Sequence, residues 1–230
     1  MWWNYVIYMF IFFVVFGCEA QTRSEVQASL PVVLDPRDNR DDVSSNIVGG
    51  QDAEKDEYIY QVYFTKNARF FCSGLILDKE TVLTAVHCFE DGINNGVIHH
   101  VVAGDYEYNT YEGTEQIRTL RAIAKHPDYE SSDFMSPDLA VIKLTKPFTF
   151  NEHVTTAKKR ERRARKGGNC WVTGRGAISQ GGPIVCFLKD QPVLMGIVSW
   201  SGGDCAAYGF SAYSRPRSHR NWIRNQVANL

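Results

Sequence analysis

Nothing in this 230-residue sequence supplies a surplus of charge: 25 Lys and Arg stand against 26 Asp and Glu, a formal net charge of −1. So balanced a chain carries no global basicity to attract nucleic acid, and no global acidity to keep a tail solvated and unfolded. It contains no Asn-x-Ser/Thr acceptor, which excludes an N-linked glycan. Helical periodicity is nearly missing as well. No helical pattern alternates with the apolar runs, which argues against an α/β architecture, and no internal repeat is visible. Cysteine is sparse: residues 18, 72, 88, 170, 186 and 205.

What is present begins with an unlike segment. Trp2 to Phe16 is almost unbroken apolar sequence, followed by Gly17-Cys18-Glu19-Ala20. Small residues at the last and third-last positions fit signal-peptidase cleavage, and the run is shorter than the ~20 residues of a spanning helix. The reading is a signal peptide over 1–20, hence a secreted chain, an oxidising compartment and paired cysteines. Cys18 leaves with the leader, so five cysteines remain, an odd number. Residues 21–46 are polar, with Asp35-Pro36-Arg37-Asp38-Asn39-Arg40-Asp41-Asp42 at their centre, and read as a solvated pro-segment. Lys158 to Lys166 places seven bases in nine residues. It reads first as a solvated linker, with a convertase cleavage site or a patch for anionic glycans as the sharper alternatives.

Between these lie short runs rich in Val, Ile, Phe and Tyr, bounded by turn residues. Strands are predicted at 60–64, 70–77, 82–85, 99–103, 116–124, 139–144, 170–173, 183–188, 193–200 and 212–214. Their number and spacing predict an all-β barrel or sandwich. Only the end reads as helical, with Ile223, Val227 and Leu230 on one face and Ser218 placed to cap it.

Several segments, in order, carry a specific resemblance: Ile47-Val48-Gly49-Gly50, Thr84-Ala85-Val86-His87-Cys88, Asp138-Leu139-Ala140-Val141-Ile142-Lys143-Leu144, Cys170-Trp171-Val172-Thr173-Gly174, Gly181-Gly182-Pro183-Ile184-Val185-Cys186 and Ser199-Trp200. Together they resemble the trypsin/chymotrypsin serine proteases over residues 47–230. The resemblance implies an all-β, chymotrypsin-like fold of two six-stranded barrels and a C-terminal helix. It implies His87 as the general base and Asp138 as the carboxylate that orients it, within about 2.6–3.2 Å. It also implies disulfides Cys72–Cys88 and Cys170–Cys186, and a peptide-binding strand at Ser199, Trp200 and Ser201. No cofactor and no metal are called for.

The same resemblance exposes a loss. Where the family has Gly-Asp-Ser-Gly-Gly-Pro, this chain has Ile178-Ser179-Gln180-Gly181-Gly182-Pro183. Gln180 falls at the nucleophile, and a carboxamide cannot be deprotonated by imidazole. Only Ala177 to Gln180 separate Gly176 from Gly181, where the family has some tens of residues holding two strands and the pocket floor. The second barrel is therefore expected to be truncated near 177–180. Cys205 is left single, its family partner having lain in the lost segment. Asn46 precedes Ile47 where a trypsin-like activator needs Arg or Lys.

Three readings follow: a catalytically inactive secreted homologue, a binding or regulatory pseudoprotease, and a shortened form of an active serine endopeptidase. Each implies a polypeptide substrate or protein partner, no nucleic acid, and no membrane once the leader is removed. Uncovered strand edges in the truncated barrel add an expectation of self-association.

Overall fold

The computed structural model describes residues 52–93, 97–107, 110–133, 135–157, 170–174, 180–188, 191–201 and 211–230. The expected signal peptide (1–20) and pro-segment (21–46), Ile47–Gly50, the basic run 158–166, Ile178, Ser179 and Cys205 lie outside the described residues.

Ten strands form two sheets. The first lobe contains β1 (Gln61–Lys66), β2 (Arg69–Asp78), β3 (Thr81–Thr84), β4 (His99–Ala103), β5 (Gln116–Lys125) and β6 (Ala140–Leu144). They close in the order β1-β2-β3-β6-β5-β4, with β1 pairing back onto β4 at Val62↔Ala103. The second lobe contains β7 (Cys170–Val172), β8 (Pro183–Leu188), β9 (Gln191–Ser201) and β10 (Ser211–Ser214), a four-stranded antiparallel sheet ordered β10-β9-β8-β7. The chain ends in α1 (Arg220–Asn229). Among the described residues no helix is long and apolar enough to cross a membrane.

The apolar runs are nearly continuous because several strands are buried on both faces. Ile76, Val82, Ile142 and Leu144 point into the barrel with Val62, Phe64, Phe89 and Phe148. Their neighbours Leu75, Leu77, Leu83, Leu139 and Val141 face outward and meet Val185 and Ile197 of the second lobe and Ile223 of α1. One side of β2, β3 and β6 thus fills the barrel while the other forms the seam between lobes. A strand covered on both sides loses period-2 alternation.

One local feature differs from the sequence reading, and one was not read there. Ser218 does not cap the helix. Pro216 opens a 3₁₀ turn over Pro216–His219 that runs directly into α1, so Ser218 lies inside the turn, its N–H donating to the Arg215 carbonyl at 3.1 Å. His219 occupies the cap position, without a side-chain capping bond. The β1–β2 hairpin turns on Asn67-Ala68, both at positive φ (50° and 65°), a two-residue turn of the primed kind.

The two sheets share a topology. Sequence and spatial order map β7, β8, β9 and β10 onto β1, β4, β5 and β6. Among the described residues the second sheet has no counterparts of β2 and β3. Residues 67–98 separate β1 from β4 and hold that pair, while only residues 173–182 separate β7 from β8. The second lobe is a barrel short of one hairpin.

Candidate active site

Strands β3 and β6 pair antiparallel with Thr84 opposite Ala140. The end of one and the start of the other therefore emerge side by side, and His87 and Asp138 lie just beyond, at the seam. Nδ1 of His87 is 2.6 Å from Oδ2 of Asp138. A carboxylate only accepts, so Nδ1 carries the proton and Nε2 of the neutral ring keeps its lone pair. The His87 backbone N–H donates to the other carboxylate oxygen at 3.0 Å, and the Ser199 hydroxyl donates to Oδ2 at 2.7 Å. Asp138 also donates its own N–H to Ser214 Oγ at 2.9 Å. Asp138 is 3% exposed. Burial pushes its carboxyl up, and the hydrogen bond and charge of His87, with the Ser199 hydroxyl and the His87 N–H, outweigh burial and hold it below the ordinary carboxylate value.

The segment Gln180-Gly181-Gly182 is pinned across the seam. Gln180 accepts from the Ser73 N–H at 2.8 Å, Gly181 donates to the Val198 carbonyl at 3.0 Å, and Val198 donates to the Gly182 carbonyl at 2.8 Å. Gly181 has φ +70°. A side chain there would come within 2.5 Å of Thr84 Oγ1 and 3.1 Å of Cys88 Sγ. The position thus requires glycine, and it packs against Cys88, the residue after His87.

Cys72 and Cys88 are bonded to each other, as are Cys170 and Cys186. The second bond joins directly opposed residues of β7 and β8. Ser199, Trp200 and Ser201 form the last residues of β9. Trp200 and Ser201 pair with Ala212 and Ser211 of β10, while the β8 ladder stops at Ile197. Beyond the Val198 bonds, the other edge of 199–201 is unpaired by strand among the described residues.

Two residues of the site escaped sequence reasoning. Ser214 is 76 residues from Asp138, and Ser73 holds Gln180 by a backbone bond that no side-chain pattern marks. Also unforeseen is a carboxylate cluster, Asp105, Glu112 and Glu115, whose oxygens lie within 4.8 Å of one another. Lys55 pairs with Glu112 at 2.7 Å, and the N–H groups of Tyr106 and Glu107 donate to it as well. Cys72, Cys88 and His87 are equally close, but sulfurs tied in a disulfide are not thiolate ligands.

The site is thus a buried carboxylate holding an imidazole in one tautomer, near a Gly-Gly-Pro turn, at the seam of two β lobes. The trypsin family model matches residues 47–182. Cationic trypsin-3 of Rattus norvegicus is 32% identical over 67% of this chain and 60% of its own length. Trypsin-3 of Salmo salar is 25% identical over 82% of this chain and 95% of its own. Ovochymase-2 of Mus musculus is 30% identical over 65% of this chain and 25% of its own. The chain spans about 60% of the length of the rat trypsin it matches. The matched span takes in β1 to β7, His87, Asp138 and the Gly-Gly turn, and with it the chain belongs to the trypsin family.

Proposed function

We propose that this chain is a secreted, catalytically silent member of the trypsin family that acts by binding polypeptide. The observation that carries this reading is that residue 180 is a glutamine, its carbonyl held by the Ser73 N–H and its neighbour Gly181 packed against Cys88, the residue after His87. In the family's triad a serine hydroxyl there gives its proton to the imidazole. With an amide in that place His87 has no hydroxyl to activate, although Asp138 still orients it. Loss of a triad serine lowers turnover by about 10⁶-fold. The test is a fluorophosphonate serine probe, under conditions that label rat trypsin fully. No labelling is expected, and stoichiometric labelling of any serine overturns the proposal.

Support for binding comes from the edge of Ser199–Ser201, whose unpaired side fits an extended peptide added as one more strand. The outer edges of β7 and β10 favour association between copies, which size-exclusion chromatography over a concentration series reads directly; a monomer throughout removes that part. The signal peptide and pro-segment complete the reading as a secreted, zymogen-like precursor.

The missing hairpin favours a second reading, that the chain is a shortened form of an active serine endopeptidase. A strand pair, a serine and a partner for Cys205 would all be restored by one inserted segment. Sequencing transcripts across codons 174–184 decides this: an insertion encoding Gly-Asp-Ser supports the second reading, and uniform absence supports the first.

A further inference from the structure

Away from the His87–Asp138 pair, two other histidines meet between the first barrel and the C-terminal helix. His126 follows β5, is 6% exposed, and donates its backbone N–H to the carbonyl of Leu139, next to Asp138, at 3.0 Å. His219 ends the Pro216–His219 turn and stands at the start of α1. The two rings meet edge to face with centroids 4.5 Å apart, and Trp222 of α1 covers His126 at 4.6 Å. The Asp128 N–H donates to Nδ1 of His126 at 3.3 Å, so the neutral His126 ring carries its proton on Nε2.

We propose that His126 and His219 form an acid-sensitive latch, holding the C-terminal helix to the first barrel at neutral pH and releasing it when both rings are protonated. A proton added to His126 lands on Nδ1 and sets N–H against the Asp128 N–H. Two charged rings at 4.5 Å repel, and His219 carries its charge at the positive end of the helix dipole. Asp128 is the carboxylate that bears on both rings; its Oδ2 lies 3.9 Å from His126 Nδ1, and its side chain is 79% exposed, so its charge is well screened. Trp222 adds no charge.

Burial holds both imidazoles below their ordinary value of 6.5; the charge of His219 lowers His126 further, while Asp128 opposes the shift on each. The sign follows from linkage. A group whose folded value is depressed contributes stability that is complete above the unfolded value, about 6.5, and is lost as pH falls below it. Release reaches the candidate site directly, because Ser214, which receives the Asp138 N–H, immediately precedes the Arg215–His219 segment that leads into the helix.

Amide hydrogen exchange on the full chain, corrected for intrinsic rate, tests the latch at pH of about 7.5 and about 5.5. Protection over residues 220–229 is expected to fall about tenfold or more at the lower pH, with β1–β4 unchanged. His219→Phe should keep its protection at both values, and His219→Gln repeats the test without added apolar surface. Asp128→Asn should deepen the loss. Undiminished protection in the native chain, an equal fall in both His219 variants, or an equal fall across the barrel overturns the latch.

Discussion

The strand β1 and its topological counterpart β7 begin alike, as apolar strands at the start of a lobe, and end in different environments. Four consecutive residues of β1, Val62 to Thr65, are buried. In β7 no residue is, and Trp171 at its centre is 47% exposed. β1 lies between β2 and β4; among the described residues β7 pairs with β8 alone. The burial of a strand is set by closure of the sheet rather than by its own composition. Where the counterparts of β2 and β3 are missing, an aromatic residue is left in water. The hydroxyl of Thr173, which follows the end of β7, is buried without a hydrogen-bond partner among the described residues, the kind of unmet group that a neighbouring strand would satisfy.

The largest effect expected from this difference concerns two aromatic truncations. Phe64 is fully buried and packs edge-on against Phe89 at 5.1 Å. Phe64→Ala should cost about 3–5 kcal/mol in chemical denaturation. Trp171→Ala, in the counterpart strand, should cost less than about 1 kcal/mol, because half its surface is already solvated. Equal costs would mean that the second lobe is as well covered as the first, and would break the comparison.

Much of this asymmetry could be read before the fold was known, and the limits are instructive. All ten strands lie within two residues of their predicted ends, because Val, Ile, Phe and Tyr runs bounded by turn residues are local signals. The truncation is legible from the four residues Ala177 to Gln180 between Gly176 and Gly181, where the family it resembles has some tens. Which face of each strand points where was not legible in β6, since Leu139 and Val141 at the seam and Ile142 and Leu144 in the barrel are equally apolar. Ser218 has the chemistry of a cap, but Pro216 opens a turn two residues earlier and so places Ser218 inside it. His87 and Asp138 were found through flanking residues that announce their strands. Ser214 was not, because its bond to Asp138 depends on how β10 crosses the seam, and no local pattern encodes that.

Asp138 belongs to the first lobe by sequence but relies on the second, since Ser199 and Ser214 supply two of its hydrogen bonds. The site therefore sharpens the comparison: a rigid barrel end is completed by the incomplete sheet. Its carboxyl is held below the ordinary value of 3.8, so its contribution is present above about pH 4 and is lost as pH falls further. Urea denaturation from about pH 4.5 to about 3 should show a loss that Asp138→Asn reduces, while that substitution costs about 1.5–3 kcal/mol at neutral pH. Ser214→Ala should remove about 1 kcal/mol with no change in that acid limb. An acid limb unchanged in Asp138→Asn would place its origin in another carboxylate.

The smallest effect lies in the hairpin that the first lobe has and the second lacks. Lys66 pairs with Arg69 across the two-residue turn Asn67-Ala68, and both turn residues are left-handed. Asparagine tolerates that region; alanine, whose Cβ crowds the following carbonyl, is disfavoured there by about 1–2 kcal/mol. Glycine removes the clash but gives the unfolded chain more freedom, which offsets about 0.4–1 kcal/mol. Ala68→Gly should therefore stabilise the protein by about 0.5–1 kcal/mol net, read as a higher denaturation midpoint with an unchanged slope. The gain should be confined to the first lobe, so that amide protection rises in β1 and β2 while β7 and β8 stay as they were. A lower midpoint would show that Ala68 is not held at positive φ in solution, and that the turn joining β1 to β2 is of another type.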